Sequence, residues 1–175
     1  MKDYSQIKLL ILDCDGVLSD GKVVYGDNEI ELKSFSAKDG LGIRMLSFSE
    51  IKVAIITGRE SQALIRRCKD LRIEYLFQKT RNKLVKTEEI LKKLKLTWQN
   101  VAYMGDDWND YPALKKAYFS AVPNDANEDI KTKVDFIANS KGGEGAVREF
   151  IDFILKKQGK YEKAVADFIE HLESS

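Results

Sequence analysis

The sequence predicts an α/β sandwich built on a mostly parallel sheet, with a β-hairpin flap after the first strand. Two observations predict it. Short apolar runs alternate with amphipathic stretches of helical period almost throughout the chain, the pattern of parallel strands joined by crossover helices. Three of those apolar runs also end in a polar cluster: Asp13-Cys14-Asp15, Thr57-Gly58-Arg59 and Gly105-Asp106-Asp107. Ligands of open parallel sheets bind beyond the carboxyl ends of the strands, so this fold would bring all three clusters to one edge.

The elements follow in order. Leu9-Leu10-Ile11-Leu12, after Lys8, is a short apolar run with acidic residues directly behind it, and predicts a buried parallel strand over 8–12. Residues 22–25 and 30–35 are β-like runs around Gly26-Asp27-Asn28, which reads as a hairpin. A helix is expected over 38–48, in spite of two glycines. Val53-Ala54-Ile55-Ile56 is the next buried strand. Leu64, Ile65, Cys68 and Leu71 recur at helical spacing and place a helix over 61–71. A short strand is expected at 75–77 and a helix at 84–94, with Leu84, Ile90, Leu91 and Leu94 inward. A strand follows at 101–104, then a short helix at 110–116 whose first turn tolerates Pro112. Strands at 119–122 and 136–138 precede helices at 146–157 and 161–172, the last with Val165, Phe168, Ile169 and Leu172 on one face. No repeat, low-complexity stretch or linker divides the 175 residues, a length that suits one domain.

Composition narrows the class. Hydrophobic residues make up 43% and charged residues 33%, an ordinary globular balance. Lys and Arg number 29 against 28 Asp and Glu, so neither a basic face for nucleic acid nor an acidic tail is indicated. No apolar run approaches a membrane span, and residues 1–8 are too polar for a signal-peptide core. Cys14 and Cys68 form neither a CxxC pair nor a zinc spacing. A cytoplasmic protein with reduced thiols is expected, with no nucleic-acid and no membrane partner. The single histidine, His171, lies near the C-terminus, which argues against a His base in the body of the fold.

The strand ends carry the chemistry. Asp13 and Asp15 can both face one pocket where the chain turns after a strand. Two close carboxylates stay ionised only with a cation beside them. Asp106 and Asp107 come from another strand end, and three or four acidic oxygens suit Mg2+, a hard ion that prefers oxygen ligands. A carboxylate can attack phosphorus to give an aspartyl-phosphate. A second one, protonated, can donate to the leaving alkoxide and then accept a proton from water. Phosphoryl transfer mainly needs positioning and charge neutralisation, for which the Thr57 hydroxyl, the Gly58 amide and the Lys83 ammonium are suitable. Each piece alone is an ordinary turn, cap or surface residue. Their joint occurrence, in order and each after an apolar strand, is what points to a site. Cys14 reads as a packing residue, since acidic neighbours raise a thiol pKa.

These residues resemble a known family. Asp13-Cys14-Asp15-Gly16-Val17-Leu18-Ser19-Asp20-Gly21 is similar to the first motif of the haloacid dehalogenase superfamily phosphatases, and Ile56-Thr57-Gly58-Arg59 to the second. Asn82-Lys83-Leu84 resembles the third motif, and Gly105-Asp106-Asp107-x-x-Asp110 the fourth. The resemblance runs from Ile7 to about Ala164 and is to the capless branch, which includes the 3-deoxy-D-manno-octulosonate 8-phosphate phosphatases of lipopolysaccharide-precursor synthesis. It implies a Rossmann-like three-layer sandwich with no cap domain. Asp13 would be nucleophile and metal ligand. Asp15 would be the general acid/base and bind the metal through its backbone carbonyl. Thr57 and Lys83 would hold the phosphoryl group, Asp106 would complete the Mg2+ site, and Asp107 and Asp110 would support it. An acid at position 15 favours phosphatase over dehalogenase. Spacing agrees with the absence of a cap: a hairpin and a helix fill the interval from Asp15 to Thr57, and a helix and a short strand fill that from Thr57 to Lys83. Members of this branch cover the site by forming homotetramers whose hairpins meet centrally, and the same assembly is expected here.

For the substrate, a small phosphorylated sugar acid, the resemblance singles out Ser36-Ala37-Lys38-Asp39-Gly40 and Arg44. Within that stretch Ser36, Lys38, Asp39 and Gly40 are candidate sugar contacts, beside Gly58 and Lys83. Arg59 and Arg67 match positions that bind the acidic sugar, Arg67 reaching across from a neighbour; an arginine fork suits a carboxylate. A related nine-carbon sugar-acid 9-phosphate phosphatase tends to have Glu at the place of Arg59, so the eight-carbon octulosonate is favoured. Glu144, in Lys141-Gly142-Gly143-Glu144-Gly145, departs from the octulosonate pattern, which commonly has Arg there. The tail, 159–175, resembles the family's C-terminal extension, which either enters a neighbouring site or packs on its own subunit. Two readings of other classes compete. A signalling receiver domain also phosphorylates an Asp, but there the acidic pair follows the first strand and the phosphorylated Asp the third. A non-catalytic tetrameric assembly module would not need Asp13, Asp15, Lys83 and Asp106 together.

Overall fold

The computed structural model describes residues 2–27 and 30–174, so Asn28 of the expected hairpin turn lies outside the described residues. In order, the chain forms β1 (Leu9–Leu12), β2 (Val24–Tyr25), β3 (Glu31–Leu32), α1 (Ala37–Leu46), β4 (Lys52–Ile56), α2 (Gln62–Leu71), β5 (Tyr75–Phe77), α3 (Lys83–Leu94), β6 (Val101–Met104), α4 (Tyr111–Leu114), β7 (Phe119–Val122), α5 (Glu128–Lys131), β8 (Phe136–Ile137), α6 (Ala146–Lys157) and α7 (Tyr161–Glu173). Single 3-10 turns at Tyr4–Gln6 and Trp98–Asn100 lead into β1 and β6. Ser36, Ser61 and Asn82 start α1, α2 and α3 by accepting a backbone N–H three residues on, which satisfies a donor the first helical turn leaves open.

Six strands form one sheet in the order β5-β4-β1-β6-β7-β8, and every neighbouring pair is parallel. The alternation of side chains along each strand divides the core. Leu10, Leu12, Ile55, Ala102 and Met104 pack under the face covered by α1, α2 and α6, with Ile43, Leu46, Leu64, Phe150 and Ile151. Leu9, Ile11, Ala54, Ile56 and Tyr103 face the other layer, with Ile90 and Leu91 of α3, Leu114 of α4 and Ile130 of α5. This is the three-layer sandwich expected, and among the described residues no separate lid interrupts it. The strand order reverses at β1: the chain first builds outward through β4 and β5, then crosses back to β6 on the other side. A crevice opens where the order reverses, and here it lies between the ends of β1 and β6.

Three features differ from the sequence reading. The hairpin strands β2 and β3 are only two residues each, paired Val24 with Leu32 and Tyr25 with Glu31, and among the described residues they pair only with each other. The helix α5 was not anticipated; Ile130 is its single buried residue, so it has no apolar period to read. On α7 the inward residue is Ala164, with Phe168 meeting the ring of Phe48 edge-on at 6.1 Å. Ile169 and Leu172, expected inward, are exposed. The helix lies against α1 and α6 of its own chain along a narrow seam, and its second apolar strip remains open.

Candidate active site

Asp13 is the first residue past β1, and its backbone N–H still donates to Met104 of β6 at 3.1 Å. Its Oδ1 accepts from the N–H of Cys14 at 2.7 Å. Its Oδ2 lies 2.7 Å from Nζ of Lys83. Lys83 opens α3, so the helix start brings the ammonium in from the opposite layer; the residue is only 2% exposed. The same ammonium donates to Oδ1 of Asp110 at 2.8 Å. Asp110 is fully buried, and it also accepts from Tyr103 Oη–H at 2.9 Å and the Asp106 N–H at 3.3 Å. Asp13, Asp106 and Asp110 each offer a carboxylate oxygen, all within 4.8 Å of one another. Asp106 stands over the backbone of Gly16, which holds a φ of +83° and whose Cβ, if present, would lie 2.1 Å from Asp106 Oδ2. Only glycine admits both that conformation and that approach.

The electrostatics of this cluster follow from its burial. Burial, then the charge of Asp110, pushes Asp13 up to about 7 against the pull of Lys83. Burial, then Asp13 and Asp110, pushes Asp106 up to about 8. Burial works against the charge of Lys83, but the carboxylates of Asp110 and Asp13 outweigh it and hold its ammonium above the usual lysine value. Burial and the neighbouring Asp15 push the Cys14 thiol far up, which fits a packing residue. Three close carboxylates against one ammonium form an oxygen-rich, electron-rich pocket short of positive charge. That is the donor set a hard divalent cation such as magnesium fits.

Asp15 belongs to a second cluster. Its Oδ1 contacts Nζ of Lys33, and Nζ of Lys33 also lies 3.2 Å from Oε1 of Glu31. Glu31 Oε2 accepts from Arg59 Nη2 at 2.6 Å, and Arg59 Nε returns to Asp15 Oδ2 at 3.7 Å. Tyr25 Oη accepts from the same Nη2 at 3.3 Å. Carboxylates and cations thus alternate around a ring that ties the hairpin to the ends of β1 and β4. Burial opposes the charges of Glu31 and Lys33, yet Arg59 and Lys33 keep the Glu31 carboxyl below its usual range, and Asp15 keeps the Lys33 ammonium above its own.

Among the other residues named from the sequence, Thr57 is buried at the end of β4, its N–H donating to Phe77 at 2.9 Å and its Oγ1 accepting from the Arg59 N–H at 3.4 Å. Gly58 is exposed and open. Asp107 is exposed and accepts from the N–H of Trp108. Asp39 is buried and turned toward α6, accepting from the N–H groups of Gly145 and Arg148 at 3.2 and 2.8 Å. Gly40 leaves room for Arg67, whose Nη2 would stand 2.2 Å from an added Cβ. Arg67 Nη2 donates to the carbonyl of Ser36 at 2.9 Å and its guanidinium lies over Phe35, so it is engaged within its own chain. Lys38 is exposed and Arg44 half-buried in the last turn of α1. Glu31 and Lys33 were not singled out. Their signal was present: in Ile30-Glu31-Leu32-Lys33 the charges alternate with apolar residues, which puts both on one face of a strand.

Comparison with known proteins shows the family. The family described as haloacid dehalogenase-like hydrolase matches residues 72–151. The 3-deoxy-D-manno-octulosonate 8-phosphate phosphatase of Escherichia coli strain B / BL21-DE3 is 44% identical over 164 residues, which cover 94% of this chain and 87% of that one. The crystal structure of the phosphatase of that name from Yersinia pestis is 43% identical with a TM-score of 0.89, covering 91% of this chain and 86% of that one. The Moraxella catarrhalis phosphatase, solved in complex with a magnesium ion, a phosphate ion and a KDO molecule, is 38% identical with a TM-score of 0.91 over 95% of each chain. With the same fold and an acidic pocket fit for the same ion, the chain belongs to the haloacid dehalogenase-like hydrolases, on the capless branch of these phosphatases, and is a phosphoric monoester hydrolase whose cofactor is magnesium.

Proposed function

We propose that this enzyme hydrolyses 3-deoxy-D-manno-octulosonate 8-phosphate to the free sugar acid and inorganic phosphate, through an aspartyl-phosphate on Asp13. The observation that carries the reading is the convergence of Asp13, Asp106 and Asp110 around one buried ammonium at the sheet's switch point. The names of the relatives at 44% and 43% identity supply the substrate. A carboxylate oxygen of Asp13 attacks phosphorus as the bond to the sugar oxygen breaks. The leaving oxygen takes the proton of Asp15. Water then attacks the phosphorus of the acyl phosphate and gives its proton to Asp15, which restores both aspartates. Lys83 and Thr57 hold the phosphoryl oxygens. Asp13, Asp106 and the backbone carbonyl of Asp15 would hold magnesium, which neutralises charge on the phosphoryl group. Asp110, with its oxygens already engaged by Lys83, Tyr103 and the Asp106 N–H, positions that set.

Arg59, near both Asp15 and the hairpin, is the group we assign to the substrate carboxylate, with Ser36, Lys38, Asp39, Gly40, Arg44, Gly58 and Arg67 shaping the sugar site. A homotetramer assembled through the hairpins is supported by the exposure of Val23, Val24, Tyr25, Ile30 and Leu32 on a two-stranded ribbon. Such a row is costly to leave in water. A cytoplasmic location is supported by two free, buried cysteines; no helix among the described residues is long and apolar enough to cross a membrane. Phosphate release should be measured with Mg2+ across eight- and nine-carbon sugar-acid phosphates. The eight-carbon ester should be turned over fastest, and Asp13→Asn should lose at least about 10⁴-fold because it keeps the shape without the anionic nucleophile. Faster turnover of nine-carbon esters would reassign the substrate. No release from any ester would leave an assembly module.

A further inference from the structure

Asp15 must hold one geometry while it gives and takes a proton, yet the strand end that carries it does little to fix its carboxylate. Among the described residues its other side-chain contacts are long: Ser19 Oγ at 3.4 Å and Arg59 Nε at 3.7 Å. The close partner is Lys33, whose side chain is 1% exposed. An ammonium this buried is tolerated only when paired, and its two partners are Asp15 and Glu31. Lys33 stands one residue past β3, on the hairpin. Its stem turns inward while Leu32 beside it is exposed, as strand alternation requires.

We propose that Lys33 is a positioning residue for the acid/base step: from the hairpin, its ammonium fixes the Asp15 carboxylate that exchanges the proton with the leaving oxygen. This rests on the acid/base reading of Asp15 given above. Lys33 neither gives nor takes a proton; the bonds made and broken are those already described. The consequence is a physical link between the hairpin and the chemistry. Glu31 extends the link to Arg59, so the same strand arranges both the proton-transfer group and the arginine assigned to the substrate carboxylate.

The test compares two esters. An alkyl phosphate needs a proton on its leaving oxygen, whereas 4-nitrophenyl phosphate releases a stable phenolate without one. The quantity kcat/KM reports steps up to loss of the leaving group, so water attack on the phosphoenzyme does not enter. Lys33→Met should lose about 100-fold in kcat/KM on a sugar alkyl phosphate without a carboxylate, on which Arg59 has no carboxylate to bind, and about 5-fold or less on 4-nitrophenyl phosphate. Lys33→Arg, which keeps the cation, should recover most of the loss. Equal losses on the two esters, no loss at all, or no rescue by Arg would overturn the proposal. Asp15→Asn in the same assay separates the two levels. If it is selective for the alkyl ester while Lys33→Met is not, only the role of Lys33 falls. If Asp15→Asn is itself unselective, the acid/base reading falls and takes this proposal with it. Should Lys33→Met fail to fold, Lys33→Gln takes its place under the same outcomes.

Discussion

Two charge clusters lie side by side after β1, one built on Asp13 and one on Asp15, and they are balanced differently. Asp13, Asp106 and Asp110 face the single ammonium of Lys83: three negative charges to one positive, an excess of two. Asp15 and Glu31 face Lys33 and Arg59, two against two. A buried cluster with two uncompensated charges is costly unless protons or a divalent cation make up the difference. A balanced ring needs no metal ion. The first cluster is therefore fit for a divalent ion, and on the function proposed above it also receives the phosphoryl group while the second holds side chains in position.

Removing Lys83 should break the first cluster. Lys83→Met leaves the buried carboxylates of Asp13 and Asp110 without their cation, and breaking such a pair costs about 3–5 kcal/mol. On the phosphoryl-binding role proposed for Lys83, kcat should also fall by about 10²–10³-fold. Steady-state kinetics with Mg2+ and chemical denaturation in chelator check the two parts. A variant of near-normal stability and activity would mean that the cluster is not short of positive charge.

Acidity sharpens the same contrast. In the metal-free protein Asp13 and Asp106 are raised from 3.8 to about 7 and about 8. A raised carboxyl binds its proton more tightly folded than unfolded, so its stabilising contribution is complete below 3.8 and is lost as pH climbs through the raised values. The thermal midpoint of chelator-treated enzyme should fall as pH rises across that window. Mg2+ should lift the midpoint most at the alkaline end, by linkage. A midpoint without slope in chelator, or a magnesium effect independent of pH, would contradict this account.

Smaller effects follow from the geometry around the clusters. Gly16→Ala forces a side chain into left-handed backbone and against Asp106; a loss of about 1–3 kcal/mol by denaturant titration is expected, with weaker Mg2+ affinity by activity titration. Glu31→Gln should change stability least, by about 1 kcal/mol or less, because Arg59 is partly solvated, and the change should be the same with and without Mg2+. A magnesium-dependent change there would merge the two clusters into one system.

The sequence carried much of the framework. Continuous apolar runs such as Leu9-Leu10-Ile11-Leu12 and Val101-Ala102-Tyr103-Met104 are buried on both faces of the sheet, so their hydrophobicity alone identified them as central strands. The clusters that end them pointed to the candidate site, and Asp13, Asp106 and Asp110 do come together there. Elements whose burial depends on distant neighbours were less legible. Phe168 finds Phe48 while Ile169 and Leu172 stay exposed, and no local period distinguishes them.

What the sequence by itself determined is the order of strands and helices and the identity of Asp13, Asp15, Lys83 and Asp106 as groups at strand and helix ends, because periodicity and turn chemistry act between near neighbours. Tertiary structure alone decided the partnerships: Lys83 with both Asp13 and Asp110, Lys33 with Asp15, Arg59 with Glu31, and Asp39 with the start of α6. Those pairs join residues far apart in the chain, and charge carries no period from which a partner can be read; only the packing of hairpin, sheet edge and helix starts brings them within reach.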